Sequence, residues 1–224
     1  MERKNVMKDS SLLNINKFFS HHSNLDVCKN DIIAAIEALI KTYQRNGKVL
    51  VCGNGGSAAD SEHIVGELMK GFLLKRPLKD DDKKNIKEKE IVNGKQAEYI
   101  IEHLQGALPA ISLVSHTALG TAISNDVAAD MIFAQQVYGY GKIGDIVIGI
   151  STSGNSQNVV NAMCVGKALG LTTIGLTGKK ESNISNTCDI TIRVPVQITY
   201  KIQEEHLKIY HLICAIVENE FFEL

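Results

Sequence analysis

Residues Val49-Leu50-Val51-Cys52 form an apolar run of strand length that breaks abruptly into Gly53-Asn54-Gly55-Gly56-Ser57. Helix-compatible residues follow, from Ala58 through Glu67, so the pattern reads strand, tight turn, helix. Such a turn is an anion seat. Glycines admit close approach of the backbone, and the N–H groups at a helix start, aided by the Ser57 hydroxyl, face negative charge. The turn lacks the Lys-Ser/Thr ending of a nucleotide P-loop and the glycine spacing of a dinucleotide fingerprint, so a smaller phosphate ester is the better ligand.

The same arrangement recurs at Gly149-Ile150-Ser151-Thr152-Ser153-Gly154-Asn155-Ser156, where a run of hydroxyls again precedes a helix. A serine cluster at a helix start is common as a cap. Two anion-type turns in one chain nevertheless favour a phosphate site over coincidence. Around them the pattern alternates. Strands are expected at Ala110 to Val114, Asp145 to Ile150, Leu171 to Leu176 and Ile190 to Val194. Helices are expected at Thr117 to Ile123, Asp130 to Tyr138, Ser156 to Leu169 and, as a long closing element, Tyr200 to Phe222. Alternation of this kind implies an α/β fold, a parallel sheet with helices on both faces, and ligands beyond the carboxyl ends of the strands. Apolar spacing over Ser11 to Asn46 adds one short and one longer N-terminal helix. The 224 residues, 44% hydrophobic, suffice for one domain over 1–224, with an N-terminal helical segment at 1–46.

Lys79 to Glu90 is almost entirely charge of mixed sign and reads as a solvated helix face or loop within an insertion at 78–105, with a helix over Lys95 to Leu104. A net charge of −1 offers no field for nucleic acid or an anionic membrane. The polar N-terminus has no signal-peptide core and no run is long enough to span a bilayer, so a cytoplasmic location is expected. Five cysteines without a C-x-x-C pair suit reduced thiols; Cys52, bordering the first turn, is expected to pack rather than react.

His63 and Glu67 lie four residues apart, on one helix face and near the first turn, where an imidazole and a carboxylate can share a metal or divide acid and base roles. Ser124-Asn125-Asp126, after a short helix, reads by itself as a turn. The last helix carries Gln203, His206 and His211; Gln203 and His211 are separated by about 12 Å along the axis, so one metal strains their joint reach within a chain. They lean to a common point or serve different copies of the site. The residues alone leave His206 and His211 as rivals.

Taken in order, Cys52 to Ser57, His63-x-x-x-Glu67, Ser124-Asn125-Asp126, Ile150 to Ser156 and Ile202-Gln203-Glu204-Glu205-His206 through His211 resemble the phosphoheptose isomerases of the sugar isomerase (SIS) family, from about Ile32 to Phe222. The resemblance implies a flavodoxin-like three-layer fold, a homotetramer with interfacial active sites, and conversion of sedoheptulose 7-phosphate to D-glycero-D-manno-heptose 7-phosphate through an enediol. It implies substrate contacts for Asn54, Gly55, Gly56, Ser57, Glu67, Asn125, Asp126, Ser151, Thr152, Ser153, Ser156 and Gln203. A zinc ion, one per subunit, would be held by His63, Glu67, Gln203 and His211, which decides for His211 over His206. Glu67 is the expected base and His211 its acid/base partner, although Glu67 can equally be a ligand. The rival reading is a non-catalytic SIS module that binds sugar phosphate or protein, like the family's replication-initiator-associating members; a lyase or deaminating isomerase ranks third. The long insertion departs from the family and leaves the exact sugar open.

Overall fold

The computed structural model describes residues 7–88 and 93–222. Met1 to Val6 and residues 89–92 of the charged segment lie outside the described residues. The chain enters through α1 (Asp9–His21), a 3₁₀ turn at Ser23–Cys28 and α2 (Lys29–Gln44). There follow β1 (Val49–Gly53), α3 (Gly56–Met69), α4 (Asp80–Glu88), α5 (Gly94–His103), β2 (Ala110–Ser112) and α6 (Thr117–Asp126). The remainder is α7 (Ile132–Tyr140), β3 (Ile146–Ile150), α8 (Gln157–Ala168), β4 (Thr172–Thr177), α9 (Asn183–Thr187), β5 (Ile190–Arg193) and α10 (Thr199–Phe222).

All five strands pair in parallel in the order β2-β1-β3-β4-β5. Every residue of β1 and β3 is buried, which is why those runs are continuously apolar rather than alternating. Successive side chains still go to opposite layers. Val49, Val51, Ile146, Ile148 and Ile150 meet the helices α1, α2, α3 and α10, whereas Leu50, Cys52 and Val147 meet α7, α8 and α9. The parallel sheet with helices on both faces expected from the alternation is therefore present, in the three-layer flavodoxin-like form that the family resemblance implies. After β1 the chain steps outward to β2 and then returns past β1 to β3, so the strand order reverses between β1 and β3. That reversal opens the crevice in which such sheets take ligands.

Several elements differ from the sequence reading. β2 is three residues long, and α6 continues through Asp126, so Ser124-Asn125-Asp126 forms the helix's last turn rather than following it. Periodicity also missed α9. Its five residues are too few for a periodic signal, and its support is a capping box between Ser182 and Ser185.

The charged segment is helical over α4, which buries none of its residues, and α5 buries only Ala97. The insertion returns to where it leaves the body: the Gly106 N–H donates to the Arg76 carbonyl at 2.7 Å, and Gln105 Oε1 accepts from the Gly71 N–H at 2.7 Å. Among the described residues no helix is long and apolar enough to cross a membrane.

Candidate active site

The two anion-type turns are neighbours. β1 and β3 pair directly, with Gly53 opposite Ile150, so both turns emerge side by side at the carboxyl end of the sheet. Asn54 and Asn158 tie them with a reciprocal pair of amide hydrogen bonds, each 2.9 Å. The first turn depends on its glycines. Gly55 has φ 56° and ψ −121°, a conformation that side chains resist, and a Cβ on Gly56 would collide with the Gln203 amide. Gln203 therefore lies over the first turn of α3.

In the second turn the hydroxyls converge. Ser151 Oγ is 3.0 Å from Ser156 Oγ and 3.4 Å from Ser153 Oγ. The N–H groups of Gly154 and Asn155 donate to Ser151 Oγ and Ser153 Oγ, so the turn's own oxygens occupy them. The Thr152 carbonyl accepts from the Gly178 N–H at 3.1 Å. Rotatable hydroxyls, more than backbone groups, are what this turn offers an anion.

Beside the first turn lies an open cleft of about 580 Å³ lined by Asn54, Gly55, His116, Ser124 and Asn125 among others. Asp126 is not part of its wall; it accepts a 2.7 Å hydrogen bond from the Asn125 amide instead.

The titratable residues gather elsewhere, along the seam where α3 and α10 pack. His63 Nε2 lies 3.1 Å from Glu67 Oε1, as the four-residue spacing requires. The His211 ring meets the His63 ring edge to face, with centroids 4.9 Å apart, and Phe72 covers His211 at 5.5 Å. Glu67 Oε2 and His211 Nε2 are both buried without a hydrogen-bond partner, although the Lys70 ammonium stands 3.7 Å from Glu67 Oε2. Burial, and then the charge of His63, push the His211 pKa down, with Glu67 opposing.

His63 and Glu67 thus share a face as expected, but they are not close to the turn. Glu67 is eleven residues beyond Gly56 on α3, about 16 Å along the axis. Gln203 likewise stays with Gly56, a full seam away from His211. One chain brings His63, Glu67 and His211 together and leaves Gln203 with the anion turns.

His206, the rival to His211, is fully buried, and its Nε2 faces the Thr177 carbonyl at 3.3 Å, against the end of β4. Burial lowers its pKa to about 4, the behaviour of a core histidine. Cys52 is wholly buried, and desolvation pushes its thiol up, so it packs rather than reacts.

Sequence reasoning missed two residues of this cluster. The Tyr210 hydroxyl is 3.0 Å from His63 Nδ1 and donates to Asp60 Oδ1 at 3.2 Å. Burial raises the pKa of both Tyr210 and Asp60. Asp60, His63 and Glu67 follow an i, i+3, i+7 spacing that puts all three on one face, a signal that was present in the sequence.

Imidazole nitrogens and a carboxylate are the donors that zinc takes. The unpartnered Glu67 Oε2 and His211 Nε2 fit an ion that would satisfy them. Among the described residues, however, no three His, Cys, Asp or Glu side chains converge closely enough to form a finished metal site. The set fits a metal in kind.

The SIS domain profile matches residues 21–101 and 100–178, and the chain belongs to the SIS domain family. Within it, the chain is 41% identical over 191 residues to the phosphoheptose isomerase of Clostridium acetobutylicum, covering 85% of this chain and 83% of that protein. It is 38% identical over 192 residues to the phosphoheptose isomerase of Roseiflexus sp., covering 86% and 83%. The solved phosphoheptose isomerase of Neisseria gonorrhoeae superposes with a TM-score of 0.70 at 28% identity, covering 94% of each chain.

Proposed function

We propose that this protein is an aldose–ketose isomerase that converts sedoheptulose 7-phosphate to D-glycero-D-manno-heptose 7-phosphate. The relatives named phosphoheptose isomerase supply the class of reaction. The observation that carries the chemistry is the convergence of Glu67 and His211, each with a buried polar atom left without a partner. Isomerisation moves a proton from one carbon to its neighbour, and a second proton between the two oxygens, through an enediol. Glu67 takes the carbon-bound proton and returns it to the adjacent carbon. His211, held neutral by burial, passes the proton between the oxygens. The paired turns hold the ester, with Ser57, Ser151, Thr152, Ser153 and Ser156 around the phosphate, and Asn54, Gly55, Gly56 and Asn125 along the sugar. Asp126 supports Asn125 through their hydrogen bond. His63, Glu67 and His211, with Gln203 of a second copy, are the proposed zinc ligands, and the ion when bound would polarise the sugar carbonyl as a Lewis acid.

Gly56 and Glu67 stand about 16 Å apart along α3, a span that an open-chain sugar phosphate covers only when fully extended and with the Glu67 side chain leaning back toward the turn. It favours an active site assembled between subunits of a homotetramer, in which the turns of one copy meet the carboxylate of another. Met69 and Leu73, apolar residues flanking Phe72 in the chain, are 44% and 68% exposed, as a surface awaiting a second copy would be. A non-catalytic binding module would have no use for a carboxylate oxygen and an imidazole nitrogen left without hydrogen-bond partners in one cluster.

The test is to offer zinc-loaded protein a panel of pentose, hexose and heptose phosphates and to follow ketose–aldose conversion by NMR. Turnover of sedoheptulose 7-phosphate above all others is expected. A protein that binds these phosphates and converts none of them would be the non-catalytic module.

A further inference from the structure

A tyrosine hydroxyl has one proton to give. In this seam Tyr210 gives it to Asp60 Oδ1, a carboxylate oxygen that can only accept, at 3.2 Å. The 3.0 Å contact between the same hydroxyl oxygen and His63 Nδ1 is then satisfied in one way only, with Nδ1–H as donor. A neutral imidazole that carries its proton on Nδ1 has a lone pair on Nε2. That nitrogen faces Glu67 Oε1 at 3.1 Å, and two acceptors at this distance attract one another only through a shared proton or cation. The unpartnered Glu67 Oε2 and His211 Nε2 belong to the same cluster.

We propose that Asp60 and Tyr210 are positioning residues, the carboxylate orienting the hydroxyl and the hydroxyl fixing His63 in the Nδ1–H tautomer so that its Nε2 lone pair faces Glu67. Neither residue touches substrate in this assignment. Their effect passes through His63, in the manner of the outer hydrogen-bond partners that orient metal-binding histidines. The consequence for zinc rests on the reading of His63 as a ligand; the tautomer itself does not. Tyr210 is suited to this task because α10 holds its ring against both His63 and His211, with centroids 5.5 and 5.0 Å away.

The experiment measures ¹⁵N shifts of the His63 ring in metal-free protein at a pH where histidines are neutral, with His63 assigned by comparison with His63→Gln. Wild type is expected to show a protonated Nδ1 and an unprotonated Nε2. Tyr210→Phe should lose that preference and place the proton on Nε2, toward Glu67, while the thermal midpoint confirms that the fold persists. Asp60→Ala supplies a second route. It leaves α10 untouched and frees the Tyr210 proton to turn toward Nδ1, so the same tautomer reversal is expected. A wild type protonated on Nε2, or a folded Tyr210→Phe that keeps the Nδ1–H form, overturns the proposal. Zinc affinity, measured against a competing chelator, should fall by roughly 10- to 100-fold in Tyr210→Phe. Should neither protein bind zinc while the tautomer behaves as expected, the metal reading fails and the positioning role stands.

Discussion

The two histidines on α10 show how burial separates a core group from a chemical one. Each leaves one ring nitrogen unpartnered, but His211 sits beside a carboxylate, whereas His206 is wholly buried with its Nε2 against the Thr177 carbonyl at the end of β4. Because the folded pKa of His206 is depressed to about 4, the unfolded chain binds its proton first as pH falls. The associated stability is complete above the ordinary histidine pKa of about 6.5 and is lost between there and about pH 4. His211, also depressed, acts in the same direction. His206→Gln keeps a donor for the Thr177 carbonyl and removes the titration. Urea unfolding from pH 7 to pH 4 should show an acid-side stability loss smaller by roughly 3 kcal/mol than in wild type. Equal slopes for both proteins would place the titration elsewhere. At the cluster, Glu67→Gln preserves shape and removes the proposed base, so kcat should fall by about 10²- to 10⁴-fold with an unchanged thermal midpoint. An undiminished rate would remove Glu67 from the chemistry.

Among the elements, the α3–α10 seam depends on a buried ion pair that no sequence pattern announces. Arg76 and Glu218 have no exposed side-chain surface, and Arg76 Nε donates to Glu218 Oε1 at 2.7 Å. The Glu218 carboxylate also accepts from the N–H groups of Phe72, Leu73 and Leu74, while the Arg76 guanidinium donates to the carbonyls of Glu67 and Leu68. These bonds fix the backbone that carries Glu67 and the Phe72 ring that covers His211. Glu218→Gln leaves a buried cation uncompensated and should destabilise by roughly 3–5 kcal/mol. Isolated buried pairs are often replaced by apolar residues without loss. Here the double variant Arg76→Met/Glu218→Leu should remain destabilised by several kcal/mol, because three N–H groups and two carbonyls stay orphaned at roughly 1–3 kcal/mol each. A double variant with wild-type midpoint in urea would show that the network is dispensable.

The contrast explains what was legible. β1, β3, the glycine turn and the His63–Glu67 spacing are local patterns, readable because the residues that cooperate are adjacent or one helical turn apart. Arg76 and Glu218 are 142 positions apart, and Tyr210 meets Asp60 across 150. No periodicity connects such residues; only the parallel packing of α3 and α10 does. The distance from Glu67 to the first turn is hidden from periodicity for the opposite reason. Sharing a helix face does not make residues near one another, because each turn adds about 5.4 Å of axial separation.

At the scale of the whole molecule that separation bears on how many chains build the proposed site. In the proposed interfacial site the ester is held at the paired turns of one copy and the carboxylate at its far end comes from another, a reading supported by the roughly 16 Å between Gly56 and Glu67 along α3. Closed symmetry then gives each assembly equivalent sites, every one combining a turn from one subunit with a Glu67 from its neighbour. Two separately inactive proteins make this testable: Glu67→Gln, and a Ser151→Ala/Ser153→Ala/Ser156→Ala variant of the hydroxyl turn. Unfolded together in equal amounts and refolded, they assort at random, and roughly a quarter of the sites should pair an intact turn with an intact Glu67. Activity should therefore return to about a quarter of wild type, whereas each variant refolded alone stays inactive. A mixture that forms hybrid oligomers, verified by mass, and yet recovers nothing would mean that turn and carboxylate act within one chain.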